Sequence, residues 1–197
     1  MGCLPRKRGS FACFAFIFTE KRGFFRRIFI SLHSEMKHDK LMQPLNLPPF
    51  ESNIRTMDGM VKIMDILRRK FVALTPEEWV RQHFVHFMVE HKGYSPTLMA
   101  NEVAVTLNGM SRRCDTVVYQ QEGLRPLMIV EYKAPHVEIT QKVFDQICRY
   151  NMVLEVDFLV VSNGLRHYCC QVDAKNGSYA FLEDIPDYDT LKSLSGR

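Results

Sequence analysis

R-R-C-D-T-V-V-Y-Q-Q-E-G-L-R-P-L-M-I-V-E-Y-K-A-P, residues 112–135, decides how this chain folds. Two apolar runs flank a turn over residues 120–126, and each carries ionisable groups where a plain core strand would carry none. Asp115 opens the first run; Glu131 and Lys133 interrupt the second. Strand side chains alternate faces, so Glu131 and Lys133 point one way while Val130 and Tyr132 point the other. Antiparallel pairing across the turn sets Asp115 beside Glu131, so that two carboxylates and an ammonium reach one point. Hard oxygen donors held close together suit Mg²⁺ or Mn²⁺, which keep several waters. A lysine beside such an ion can position or deprotonate a bound water. Pro135 ends the second strand, because proline has no N–H for a buried ladder.

Downstream, Thr140 opens a helix to about Met152 with Val143, Ile147 and Val153 on its buried side. Gln146 and Tyr150 stand at i and i+4 and share a face. Taken alone, this is an amphipathic helix with a tyrosine at its boundary. Phe158 to Ser162 reads as a strand buried on both faces. After the Asn163-Gly164 turn, His167–Val172 and Tyr179–Leu182 form a hairpin across Asn176-Gly177. His167 has the choice of contacting substrate or packing within its strand, and reads as a packed strand histidine. The chain beyond Glu183 is acidic, then small and polar, and residues 186–197 read as a frayed tail.

Upstream, Leu98–Leu107 is a strand that turns at Asn108-Gly109. Arg112 and Arg113 precede Asp115 either as phosphate contacts at the mouth of the site or as solvated turn residues. Thr75-Pro76-Glu77-Glu78 is a helix start: a cap, a proline at the first position and a capping-box glutamate. That helix runs to about His91 and Gly93 ends it. His83 and His86, at i and i+3, have the spacing of a metal pair, but with no third ligand they read as packing or surface histidines. Arg68-Arg69-Lys70 is either a phosphate-contacting patch or a solvated strand edge. Asp58-Gly59 marks a β-hairpin behind the extended lead-in Leu45–Phe50.

The 197 residues suit one domain, and 46% hydrophobic content suffices for a core. The six cysteines form no C-x-x-C pair and read as reduced thiols of a cytoplasmic protein. Net charge is +4. Residues 1–42 hold 9 Lys/Arg against 3 Asp/Glu, and the remainder 17 against 19, so the body of the chain is not broadly basic. Residues 1–41, with F-A-C-F-A-F-I-F between basic clusters, break from the rest in composition. Eight apolar residues are too few for a spanning helix, which needs about 20, so no stable membrane insertion is expected. This extension reads as a poorly ordered upstream segment, consistent with a misread start.

Asp115 followed by Glu131-x-Lys133 at the end of an apolar strand resembles the core of the PD-(D/E)xK nuclease superfamily. Gln146-Ile-Cys-Arg-Tyr150 is similar to that superfamily's Q-x-x-x-Y element. The wider run, from L-T-P-E-E-W-V-R-Q-H-F at Leu74 to N-G-L-R-H-Y-C-C at Cys170, resembles the N-terminal nuclease domain of type I restriction enzyme R subunits, in a short stand-alone form. Cys114 stands where the superfamily often has proline. The resemblance implies an α/β, restriction-endonuclease-like mixed β-sheet flanked by helices, preceded by a β-hairpin and spanning residues 42–185.

The implied function is Mg²⁺- or Mn²⁺-dependent phosphodiester hydrolysis of DNA. Asp115, Glu131 and the Tyr132 carbonyl would hold the ion. Lys133 would act on the attacking water, with Gln146 and Tyr150 holding the lysine, the phosphate or a water. Implied partners are DNA and other restriction or repair subunits, and no small-molecule cofactor is evident. The superfamily often places a metal-proximal glutamate on the first helix. Glu78 is the nearest match, although its capping role explains it without any catalysis. Two alternatives stand beside the enzyme: a silent DNA-binding or assembly module on the same fold, and a structural Glu131–Lys133 ion pair with Asp115 capping a turn.

Overall fold

The computed structural model describes residues 42–107, 109–173 and 176–195. The expectations for residues 1–41, including Cys3 and Cys13, lie outside the described residues. A small antiparallel sheet comes first: β1 (Ile54–Met57), β2 (Met60–Asp65) and β3 (Lys70–Ala73), in that order. The expected hairpin is therefore one strand larger. Lys70 pairs opposite Asp65, and Phe71 to Ala73 continue the ladder that the β1–β2 turn began.

Helix α1 (Pro76–His91) follows, and its start is as the sequence dictates except that the capping box does not close: the Glu78 carboxylate accepts from Arg68, Arg81 and Gln82 instead of the Thr75 N–H. The Thr75 hydroxyl accepts the Glu78 N–H at 3.0 Å, Pro76 fills the first position, and Glu77 and Glu78 sit where the helix dipole favours anions. After a single 3₁₀ turn (Pro96–Leu98) come β4 (Met99–Leu107), β5 (Met110–Tyr119), β6 (Pro126–Tyr132), α2 (Gln141–Leu154), β7 (Phe158–Ser162), β8 (His167–Asp173), β9 (Ser178–Leu182) and α3 (Tyr188–Leu194). Strands β4 to β9 form one sheet in chain order. β6 and β7 pair in parallel through the α2 crossover, and the other neighbours are antiparallel. The fold is α/β with a mixed sheet flanked by helices.

The alternation of this sheet divides the core in two. Val118, Met128, Val130, Tyr132, Phe158 and Val160 pack with Val80, Phe84 and Met88 of α1. Val117, Ile129, Leu159, Val161 and Cys170 pack with Val143, Phe144 and Ile147 of α2. β7 is buried along its whole length because both faces are covered. Val153 departs from expectation: it is 41% exposed, on the outer side of the last turn of α2. Thr140 occupies the cap position of α2 without a side-chain capping bond.

Residues 184–195 are not frayed. Ile185 and Leu191 are buried in the α1-side core, and Asp187 caps α3 through the Thr190 N–H at 2.8 Å. Arg125 fastens the end of this segment by bonding Asp157 at 3.0 Å and Ser195 at 2.6 Å. Tyr188, Leu191 and Leu194 recur every third residue, but over a helix of only seven residues, too short for a firm periodic signal, so the docking surface is what reveals this helix.

The lead-in is also tied down. Asn46 N donates to Gly164 O at 2.7 Å. Gly164 has φ +80°, and a Cβ there would meet Leu45 Cδ2 at 2.7 Å, so the turn both needs glycine and lets Leu45 close over it. His167 completes this joint. Its Nε2 donates to Asn46 O at 2.9 Å, while Nδ1 accepts from the Ser162 hydroxyl at 2.8 Å. It is the packed strand histidine expected. Cys114, Cys148, Cys169 and Cys170 are free thiols, and burial pushes all four above the usual thiol range. Among the described residues no helix is long and apolar enough to cross a membrane.

The buried histidines give a pH prediction. His83 Nδ1 donates to Trp79 O at 3.0 Å, and burial lowers its pKa to about 4; burial lowers His167 as well. Both folded values lie below the unfolded value of about 6.5, so between the two values the unfolded chain binds more protons. Stability is therefore intact above pH 6.5 and falls as pH drops toward 4. A fall of about 2.5 pH units at about 1.4 kcal/mol each gives on the order of 3 kcal/mol for His83. Urea midpoints measured from pH 7 to pH 4 should show this slope, and His83→Gln should flatten it. An unchanged slope in that variant would remove His83 as its source.

Candidate active site

The site lies at the C-terminal end of β6, between the start of α1 and the middle of α2. β5 and β6 pair antiparallel with Thr116 opposite Val130 and Val117 opposite Ile129. One further step of that register sets Asp115 opposite Glu131, as alternation along the two strands requires. In antiparallel sheets, residues so opposed lie about 5 Å apart at Cα. Here the ladder bond is replaced by a side chain: Tyr132 N donates to Asp115 Oδ2 at 2.8 Å. The Tyr132 ring turns the other way, into the core against Phe84.

Glu131 Oε1 accepts from Lys133 Nζ at 2.7 Å and from Gln146 Nε2 at 2.6 Å. Three sequence-expected residues thus meet at one oxygen. Among the described residues no hydrogen bond reaches Glu131 Oε2. Tyr150 lies on α2 one turn beyond Gln146; its side chain is outside the described residues. Arg112 and Arg113 lie within β5 rather than in a turn, and both are exposed. Arg113 approaches Glu102 at 3.6 Å.

Burial dominates the electrostatics. It raises the Asp115 carboxyl, although Arg81, the Tyr132 amide and Lys133 pull the other way. Glu131 is raised further, by burial and then by the charge of Asp115, against the pull of Lys133. Burial opposes the charge on Lys133, yet its bond to Glu131, with Asp115 and Glu77 nearby, outweighs burial and holds it as an ammonium. The two carboxylates disfavour each other's charged form.

Sequence reasoning missed two residues and misplaced a third. Glu78 faces inward, away from the site: it accepts from Arg68 Nη2 at 3.1 Å, Arg81 Nη1 at 2.8 Å and Gln82 Nε2 at 2.7 Å. Its neighbour Glu77 is the helix glutamate that feels Asp115, Lys133, Arg81 and Glu102, and burial followed by Asp115 raises its carboxyl. Arg81 is 5% exposed and donates through Nη2 to Asp115 Oδ1 at 2.8 Å. Glu102 pairs with Arg81 at 2.8 Å. No sequence pattern marked Arg81 or Glu102. His83 and His86 pack around Phe50 and Trp79 and lie apart from these groups.

The donor set is suited to a hard divalent cation. Glu77, Glu102, Asp115 and Glu131 are offset by Arg81 and Lys133, a formal excess of two negative charges. Among the described residues no group of three or more His, Cys, Asp or Glu side chains is arranged to hold a metal ion. Two carboxylates with water completing the shell is the arrangement that Mg²⁺ favours, since it dehydrates reluctantly.

A family model for the type I restriction enzyme R protein N terminus (HSDR_N) matches residues 76–186, more than half of the chain. A fragment structure described as an HsdR subunit of a type I restriction enzyme from Vibrio vulnificus YJ016 is 18% identical, with a TM-score of 0.47. The match covers 59% of this chain and 24% of that chain, so this protein spans about a quarter of its length. No curated protein matches.

Proposed function

Because the chain belongs to the family of the type I restriction enzyme R protein N terminus, we propose that it is a metal-dependent nuclease that hydrolyses phosphodiester bonds of DNA. The observation that carries this reading is the meeting of Glu131, Lys133 and Gln146 at one oxygen, opposite an Asp115 held in place from two sides. An isolated structural ion pair would need neither Gln146 nor a second, largely covered carboxylate across the ladder. Burying that second charge beside the first is costly without a cation to balance it.

Asp115 and Glu131, with the Tyr132 carbonyl, would hold Mg²⁺ or Mn²⁺, and Glu77 approaches from the helix. Bound there, the ion would supply Lewis-acid stabilisation of the charge that builds on the phosphoryl oxygens. The chain's own groups do the rest. Gln146 fixes the Glu131 carboxylate through its amide. Lys133 presents an ammonium whose proton is held by Glu131, so it can hold a water or a phosphate oxygen in place. To act as a base Lys133 would first have to release its own proton to solvent; as the free amine it could then take one from the attacking water. Arg113, exposed on β5, is positioned to meet a phosphate, as is Arg112. DNA and further restriction or repair subunits are the partners this reading implies.

The test is direct. The full chain is incubated with supercoiled plasmid in Mg²⁺ or Mn²⁺, with EDTA as the blank. Metal-dependent conversion to nicked or linear DNA is expected. A protein that binds DNA and metal but never nicks, alone or with other restriction subunits, is instead the silent binding module.

A further inference from the structure

We propose that Arg81 is a positioning residue, fixing the Asp115 carboxylate in the orientation that receives the ion, and that Glu102 keeps the Arg81 guanidinium in place for that task. The proposal rests on the metal-site reading above. Arg81 reaches from α1 to the end of β5. Its Nη2 donates to Asp115 Oδ1, while Nη1 serves Glu78 and Glu102, each contact being 2.8 Å. The flat guanidinium also lies over the Tyr132 ring, 5.7 Å from its centroid. A planar fork held at both ends has one orientation. Asp115 is thereby bound at both oxygens, Oδ1 by Arg81 and Oδ2 by Tyr132 N. Each carboxylate oxygen keeps accepting capacity, so Asp115 can face an ion without releasing either partner.

Glu102 supplies the second half of the argument. It lies in β4 between the pairs Asn101↔Thr116 and Val103↔Cys114, which places it opposite Asp115. No ladder pair forms at this step, and Glu102 has φ +58°. A non-glycine residue in the left-handed region within a strand is strained, and it persists only when its surroundings impose it. What the strain secures here is the carboxylate's approach to Arg81, with Arg113 on its other oxygen at 3.6 Å. Without Glu102, one of the two anions anchoring Nη1 is gone. The guanidinium is then anchored at Nη1 by Glu78 alone, and Asp115 Oδ1 no longer has a donor of fixed orientation. Core packing alone gives no reason for this strain, since the Glu102 side chain is 27% exposed.

The Tyr132 amide reports on Asp115 without any metal. Its hydrogen exchange is measured in EDTA on the full chain, for wild type, Glu102→Gly and Arg81→Lys. Both variants should speed Tyr132 exchange by about tenfold while the Ile129 and Val160 amides keep their protection. Glu102→Gly should also unfold at no lower temperature than wild type, because glycine relieves the left-handed strain, yet bind Mn²⁺ about tenfold more weakly. Wild-type exchange at Tyr132 in both variants overturns the proposal, whatever the activity. A Glu102→Gly protein that melts lower and loosens Ile129 as much as Tyr132 also overturns it, by assigning Glu102 to the fold. If exchange behaves as expected but wild type neither binds Mn²⁺ nor nicks plasmid, the metal reading fails and the positioning of Asp115 stands.

Discussion

Lys133→Ala is expected to slow plasmid nicking by about 10²–10⁴-fold, the usual range for a lost proton-transfer group, while leaving Mn²⁺ affinity within a few-fold of wild type. The reason is a division of labour. Asp115 and Glu131 are hard anions and bind a hard cation; an ammonium repels it and must act on water or phosphate. Removing Lys133 takes one partner from Glu131 Oε1 but leaves Gln146 bound to it at 2.6 Å, so the carboxylate keeps its orientation. Asp115→Ala, by contrast, should lose both metal and cleavage. It also strands Tyr132 N and frees Arg81 Nη2. Asp115→Asn is the cleaner comparison, since an amide oxygen can still accept from Tyr132 N while the charge is gone. Lys133→Arg separates the two roles of the lysine. A guanidinium stays protonated and cannot serve as a base, so full inactivity marks proton transfer, whereas partial rescue marks charge stabilisation. Calorimetric titration with Mn²⁺ and a nicking time course on each variant decide the matter. Cleavage by Lys133→Ala at the wild-type rate would falsify the assignment of this lysine.

Asp65→Ala should be the most damaging substitution for the fold, with an expected loss of about 3–5 kcal/mol. Asp65 has no solvent exposure, and four donors converge on it. Oδ1 accepts from Leu67 N at 2.9 Å and Arg68 N at 3.0 Å; Oδ2 accepts from Asn101 Nδ2 at 2.9 Å and from Arg68 Nε. Burial alone would raise this carboxyl, but the bonds from Arg68 and Asn101 prevail and hold it below the usual range. Alanine leaves those part-buried donors without their acceptor. The damage should also spread, because Arg68 carries the contact onward to Glu78, and Glu78 to Arg81. The small sheet, α1 and the active-site aspartate are therefore joined through one line of charges. For a chain of this size the expected loss corresponds to a fall in thermal midpoint of roughly 10 °C. Asp65→Asn should lose less, because its amide oxygen still accepts from Leu67 N and Arg68 N while its NH₂ opposes the Arg68 and Asn101 donors. A midpoint within about 2 °C of wild type for Asp65→Ala would show that the line contributes little to stability.

Much of this molecule was legible before folding because its signals are local. A cap, a proline and two glutamates start α1 whatever lies around them. Alternation alone puts Glu131 and Lys133 on one face, and the bond between them follows. The i, i+4 spacing of Gln146 and Tyr150 fixes a shared helix face in the same way. The remaining features depend on how finished elements dock. Glu77 and Glu78 are neighbours in sequence, but successive helix residues point about 100° apart. Which of them reaches the site depends on how α1 rolls against the sheet, and burial of Val80, Phe84 and Met88 settles that roll. The same docking turns Glu78 inward onto Arg68, Arg81 and Gln82, brings Arg81 across to Asp115, and gives Leu191 a surface on which an otherwise unremarkable tail becomes α3. Glu102 is the furthest from being readable: its left-handed backbone runs against its own local preference. Local periodicity in the sequence determined the strands, the helix starts and the paired carboxylates. Only tertiary packing decided which charges face one another, because that depends on distances between elements that no spacing along the chain encodes.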